Sequence, residues 1–177
     1  MKQRNLQSMN REDRELIEKA LDATAHAYAP YSGFAVGAAV RTQSGKVYTG
    51  SNLENASFGV TMCAEVAALT AANTAGDFNV EAIAIVGHKF TEPRDATMVT
   101  TPCGRCRQLI SEAGQIRKVD VRVFSCNGNL DEIHESKISE LLPEAFGPAN
   151  LDMDIKWSQM LPALEEVVEA LKHSVYA

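Results

Sequence analysis

Helices alternate with strands along this chain of 177 residues, and that order predicts an α/β layered domain with a sheet of about five strands. Three observations carry the prediction. Apolar residues recur at helical spacing from Asn10 to Ala27 and in the alanine-rich stretch behind Cys63; β-branched residues alternate with others at Val80 to Gly87 and Val119 to Ser125; and Gly, Pro and Asn punctuate the intervals. The length corresponds to one domain, 1–177, large enough to bury roughly two thirds of its unfolded surface.

The elements follow in order. Asn10 can cap a helix running to about Ala27, with Leu16, Ile17, Ala20, Leu21 and Thr24 on one face and Arg11, Glu12, Arg14, Glu18 and Lys19 away from it. Pro30 and Gly33 break the chain, after which Phe34 to Thr42 and Lys46 to Gly50 read as two strands joined by a Gln-Ser-Gly turn. Asn52 to Met62 has little periodicity and delivers Cys63 to a helix that continues to about Ala75, ended by Gly76. Val80 to Gly87 is a strand, His88 to Thr101 a polar loop, and Cys103 opens a helix to about Ala113 with Gly114 behind it. Val119 to Ser125 and Leu130 to Glu135 are the last strands, joined at Asn127-Gly128, and a short helix from Lys137 to Leu142 stops before Pro143. Beyond Pro148 the composition changes, and 151–177 is read as a C-terminal extension in which Pro162 begins an amphipathic helix with Leu164, Val167, Val168 and Leu171.

A formal charge of -6 argues against a polyanionic partner, because binding nucleic acid draws on clustered Lys and Arg, and no such cluster occurs. The N-terminal stretch is polar, without the apolar core of a secretory signal, and no apolar run is long enough to span a bilayer. The expected place is the cytoplasm. Thiols stay reduced there, so four cysteines, two of them in Cys-x-x-Cys, point to metal or catalysis more than to disulfides.

The chemistry concentrates in Cys63-Ala64-Glu65 and Pro102-Cys103-Gly104-Arg105-Cys106. A catalytic zinc keeps three protein ligands and leaves a fourth corner for water; Cys63, Cys103 and Cys106 fill that count. Glu65, two residues past the first ligand on the opening turn of a helix, faces the same space without binding the metal, which suits a proton carrier. A water on zinc ionises near pH ~7 rather than ~16. Both segments open helices, where the positive end of the peptide dipole favours thiolate. A lone Cys-x-x-Cys is also compatible with a redox pair, a structural zinc knuckle or two core cysteines. A structural zinc would want a fourth ligand, but Cys126 lies in an apolar strand and His26, His88, His134 and His173 have no ligand spacing to the cysteines.

From about Ala27 to Leu151 the chain resembles the cytidine deaminase family, in particular its small, three-cysteine, homotetrameric type. The resemblance is carried by residues 27–39 (AYAPYSGFAVGAA), Asn52-Leu53-Glu54-Asn55-Ala56, Cys63-Ala64-Glu65, Pro102-Cys103-Gly104-Arg105-Cys106-Arg107-Gln108, and Glu140-Leu141-Leu142-Pro143 with Phe146-Gly147. It implies a three-layer α/β/α fold with a mixed sheet, one zinc per chain and no organic cofactor. It also implies a homotetramer acting in pyrimidine salvage, with a nucleoside as the small-molecule partner and no nucleic acid or membrane. The implied reaction is hydrolysis at C4 of cytidine or 2'-deoxycytidine, with Glu65 moving protons to N3 and to the departing amine. By the same resemblance Asn52 and Glu54 would hold the ribose 3'-hydroxyl. Phe34 would lie against the pyrimidine, and Phe146 would reach the base from a neighbouring subunit. The backbone N–H of Ala64 and carbonyl of Thr101 would read the base edge, and the segment containing Ala56 and Phe58 would meet the 5' end.

Three departures from the family pattern stand out. Val66 occupies the place of an arginine that bonds the thiolates, leaving Arg107 as their expected donor; Phe58 replaces a tyrosine; and the tail beyond Leu151 is long. The first of these is shared with the related blasticidin-S deaminases, so a modified or N4-substituted cytosine nucleoside is an alternative substrate. A non-catalytic zinc module is the alternative of another class.

Overall fold

A computed structural model describes residues 1–90 and 97–176, with the side chains of 174–176 left aside. Among the described residues, six strands form one mixed sheet in the order β1-β6-β5-β4-β2-β3. They are β1 (Lys2–Arg4), β2 (Phe34–Thr42), β3 (Val47–Ser51), β4 (Val80–Lys89), β5 (Arg122–Asn127) and β6 (Ile133–Lys137). Only β4 and β5 run parallel; every other pairing is antiparallel. The helices are α1 (Arg11–Ala23), α2 (Ala64–Thr74), α3 (Gly104–Arg117), α4 (Ile138–Leu141) and α5 (Trp157–Tyr176).

The sheet is covered on both faces, and β4 shows how the sequence arranges that. Ile83 and Ile85 join Ala64, Ala68, Leu69 and Ala72 of α2 and Ile110 and Ala113 of α3 in one core cluster. Ala82, Ala84 and Val86, alternating with them, join Leu16, Ile17 and Ala20 of α1 in the other. Period two on the strand thus supplies two apolar faces, and the helices meet them as α/β/α layers.

Glycine lets the helices come close. A Cβ on Gly37 would lie 2.0 Å from the Ala20 carbonyl oxygen of α1, and one on Gly50 would lie 2.4 Å from the Ala68 nitrogen and 2.7 Å from the Ala64 oxygen of α2. Gly50 therefore seats the helix that begins at Cys63 directly on β3.

The elements differ from the sequence expectation in identifiable places. The sixth strand, β1, is three exposed residues that pair with β6 at Lys2 with Glu135 through Arg4 with Ile133. An edge strand held by backbone bonds and the Arg4–Glu135 ion pair needs no apolar pattern. Asn10 does cap α1, its side chain accepting from the Asp13 N–H, but the α-helix ends at Ala23 and a 3₁₀ turn, Thr24–His26, completes it. Helix α5 starts at Trp157, five residues before Pro162, which sits inside it. Of the expected loop His88 to Thr101, residues 91–96 lie outside the described residues, and β4 extends through Lys89. No helix is long and apolar enough to cross a membrane among the described residues.

Candidate metal and catalytic site

Two chain segments arrive at one place from different sides. The irregular stretch after β3 ends at Cys63, the N-cap of α2, and the segment after β4 ends at Cys103, the N-cap of α3. Each cap carbonyl accepts the first bond of its helix, from Ala67 N–H (3.2 Å) and Arg107 N–H (2.9 Å). Neither cap side chain bonds a backbone N–H of its helix, so both sulfurs are free to turn toward each other. Cys106, in the first turn of α3, completes the group.

The sulfur of Cys63 lies 3.9 Å from that of Cys103, which lies 3.5 Å from that of Cys106, and all three fall within 4.8 Å of one another. A tetrahedral zinc with Zn–S of ~2.3 Å holds its sulfurs about 3.8 Å apart, so the set fits three corners of such a site. No other group of three or more His, Cys, Asp or Glu suited to a metal occurs among the described residues. Cys126 is wholly buried, and burial pushes its thiol up to about 12, as in a structural core cysteine.

The electrostatics set Cys63 apart from Cys106. Hydrogen bonding from Cys106 leads in drawing the Cys63 pKa down to about 6; burial opposes it, and Cys103 and the charge of Arg105 assist. Cys106 is pushed up, by its bond to Cys63 and by burial. Such crowding favours a thiolate at Cys63 and resists one at Cys106 until a cation joins them, which is the behaviour of a metal ligand set. Glu65 is 4% exposed, and burial pushes its carboxyl above the ordinary range, with the Cys63 charge adding to the rise. A carboxyl so placed holds a proton readily and returns it readily.

Around this centre the other expected residues take definite positions. Phe34 starts β2, and its ring edge crowds Gly87, where a Cβ would come within 2.7 Å of it. Asn52 accepts from the Val36 N–H (2.9 Å) and donates to the Phe34 carbonyl (3.0 Å). Glu54 accepts from the Tyr31 and Ser32 N–H groups at 2.9 and 3.2 Å, and hydrogen bonding led by the Ser32 side chain keeps its carboxyl low. Ala64 is buried at the start of α2, while Ala56 and Thr101 are exposed. Phe58 is exposed and meets Tyr31 edge-on with ring centroids 5.8 Å apart. Phe146 is exposed and its carbonyl accepts from Gln108.

Arg107 points to backbone. It donates from Nε to the Pro102 carbonyl (2.8 Å) and from Nη1 to the Leu141 carbonyl (3.2 Å), bracing the ligand loop against α4, and none of these bonds reaches a thiolate. Arg105, which sequence reasoning passed over although it stands between two of the cysteines, reaches the Thr61 carbonyl and the Met62 sulfur just before Cys63, and its charge acts on the Cys63 thiol. Gln108, holding the Phe146 segment, was also invisible in the sequence because its partner lies 38 residues on.

Residues 10–123 match the family model described as the cytidine and deoxycytidylate deaminase zinc-binding region. The chain is 44% identical over 132 residues to a cytidine deaminase of Halalkalibacterium halodurans, covering 74% of this chain and 91% of that protein. It is 40% identical over 130 residues to one of Mycobacterium tuberculosis, covering 72% and 84%. The structure superposes on a crystal structure of cytidine deaminase from Burkholderia pseudomallei with a TM-score of 0.66 and 41% identity, over 78% of this chain and all of that one.

Proposed function

Because the chain belongs to the cytidine and deoxycytidylate deaminase family, and is a zinc-dependent hydrolytic deaminase, we propose that it converts cytidine and 2'-deoxycytidine to uridine and 2'-deoxyuridine with release of ammonia. The observation that carries this reading is the cluster of three thiols with the buried carboxyl of Glu65 beside it. Cys63, Cys103 and Cys106 would hold zinc, which when bound supplies Lewis acidity at its open corner and makes a water there ionisable near pH ~7.

Glu65 does the proton work. Its raised pKa lets it take the proton that water gives up as oxygen bonds to C4, and pass that proton to N3 of the ring. It then carries the remaining proton of that oxygen from C4–OH to the amine as the C4–N bond breaks, so that cytidine and water become uridine and ammonia. Burial shields the Glu65 carboxyl itself from bulk water.

The neighbouring residues orient the nucleoside in this reading. Phe34 would lie along the ring, the Ala64 N–H and Thr101 carbonyl would bond the base edge, and Asn52 and Glu54 would grip the 3'-hydroxyl. The Asn52 amide spends one N–H and one lone pair within the protein, so a second of each remains for a hydroxyl. The low pKa of Glu54 keeps it an acceptor. The segment with Ala56 and Phe58 would meet the 5' end, and Phe146 would close the site of a neighbouring copy in a homotetramer. Reduced thiols are consistent with a cytoplasmic enzyme, and 151–177 is read as an extension of a single domain. The apolar side chain of Val66 favours a second reading, in which a modified or N4-substituted cytosine nucleoside is preferred.

Glu65→Gln tests the mechanism. The amide keeps shape and zinc but cannot carry a proton, so turnover should fall by at least about 10²-fold. Zinc content and the absorbance change of cytidine are the readouts, and ordinary activity in a zinc-loaded Gln variant would refute the role of Glu65. A panel including N4-substituted nucleosides separates the two substrate readings.

A further inference from the structure

We propose that Arg105 is a positioning residue of the zinc site, clipping the segment that delivers Cys63 to the helix that delivers Cys103 and Cys106 and offsetting the charge of the three thiolates. The proposal rests on the reading of those three cysteines as zinc ligands.

Charge counting shows why such a residue is needed. Three thiolates on a divalent ion leave a net charge of about -1 at the centre, and an ionised Glu65 adds to it. The dipoles of α2 and α3 supply only partial positive charge, roughly +0.5 at each N-terminus. Val66, next to Glu65, is buried and apolar and supplies none. Arg107 has turned its Nε and Nη1 to the Pro102 and Leu141 carbonyls. Arg105 remains. From the first turn of α3 its guanidinium reaches across to the residues just before Cys63, with Nη1 3.5 Å from the Thr61 carbonyl oxygen and Nη2 4.0 Å from the Met62 sulfur.

Those two contacts span 44 and 43 residues of sequence and join the chain segments on which the ligands sit. They are long for hydrogen bonds, so their geometric hold is modest and the positive charge is the larger contribution. Arg105 is exposed, so salt should weaken its effect.

The test is zinc affinity by competition with a colorimetric chelator, on the full-length protein, for the parent, Arg105→Ala, Arg105→Gln and Arg105→Lys. Removing a partner that supports metal ligands costs about 10- to 100-fold in affinity, and exposure puts Arg105 at the lower end. At ~0.1 M salt the Ala and Gln variants should therefore bind zinc about tenfold more weakly, and Lys should recover most of the loss. At ~1 M salt, where the screening length shrinks to ~3 Å, the gap should narrow. Thermal melts of the zinc-loaded forms check folding, and the Gln variant, close to arginine in length and polar, serves if Ala fails to fold. Zinc affinity equal to the parent's in Ala and Gln, a Lys variant as weak as Ala, or a gap indifferent to salt would overturn the proposal. A parent chain that binds no zinc would instead defeat the ligand assignment itself, which is seen before any variant is compared.

Discussion

Phe58 is 73% exposed, and among the described residues its aromatic neighbour is the edge of Tyr31, so the side chain presents an apolar surface to whatever lies beside the site. A tyrosine there would offer a hydroxyl to the 5' end of a nucleoside; phenylalanine cannot. A neutral hydrogen bond contributes roughly 0.5 to 1.5 kcal/mol net, or at most about tenfold in affinity. The protein should therefore deaminate 5'-deoxycytidine with a kcat/KM within about tenfold of that for cytidine, and Phe58→Tyr should widen the gap in cytidine's favour. Discrimination by a factor of hundreds in the native protein would mean that another polar group holds the 5' end. At this scale the sequence was most legible where chemistry is local. Cys103 and Cys106 share a helical turn, and Glu65 follows Cys63 by two residues, so spacing alone brings each pair together. Partners set by folding were illegible. Nothing in the run from Pro102 to Gln108 tells which arginine reaches back to the segment before Cys63 and which reaches a carbonyl 34 residues on.

At the scale of elements the same division holds. Helix α3 was expected to stop before Gly114, yet it runs on to Arg117 and ends at Lys118 in the left-handed region, φ 57°. Gly114 serves close packing: a Cβ there would stand 2.5 Å from the Val119 carbonyl oxygen, a clash that sequence reading cannot see. The charge network that ties α1 to the sheet was equally hidden. Asp13, 2% exposed, accepts from Arg41 of β2 at 3.0 Å and from Arg122 of β5 at 3.1 and 2.6 Å, and Arg122 goes on to Glu135 of β6. Burial alone would raise the Asp13 pKa, but hydrogen bonds and charge from the two arginines outweigh it and hold the carboxyl below its ordinary range. A carboxyl depressed on folding contributes stability that is complete above its unfolded pKa, ~3.9, and is lost as pH falls through the folded value. Asp13→Asn should cost about 1.5 to 3 kcal/mol at pH 7, since the buried Arg41 and the partly exposed Arg122 lose their shared anion but keep Glu81 and Glu135. The difference from the native protein should shrink steadily below pH ~4, as the native carboxyl also becomes neutral. Urea unfolding followed by circular dichroism from pH 7 to pH 3 measures both, and a difference constant across that range would remove Asp13 from the account of acid stability.

At the scale of the whole molecule, the surface around the site looks unfinished in a single copy. Phe58, Val60 and Phe146 are 73%, 64% and 57% exposed, and Tyr28, Tyr31 and Leu53 join them on the segments that frame the thiols. The outer face of α2 adds an open apolar hollow lined by Tyr48, Met62, Ala67 and Ala71. Monomers rarely expose large apolar patches, and residues cast as substrate contacts can act only if something presses them toward a base. Association of copies satisfies both demands, because one chain's exposed aromatics can become the walls of another chain's site. The expected active form is a homotetramer, seen by sedimentation at assay concentration. Phe146→Ala should then lower kcat/KM on cytidine by about tenfold, the scale of a truncated contact at an interface, while leaving zinc content unchanged. Mixing supplies the decisive measurement. If Phe146 acts across the interface, hybrids of inactive Glu65→Gln chains with Phe146→Ala chains should contain sites where an intact Glu65 meets an intact Phe146 from a neighbour. Activity in the mixture should then exceed the sum of the separate parents. A fully active monomer, or a mixture that never exceeds that sum, would confine Phe146 to its own chain and leave the exposed aromatics without this role.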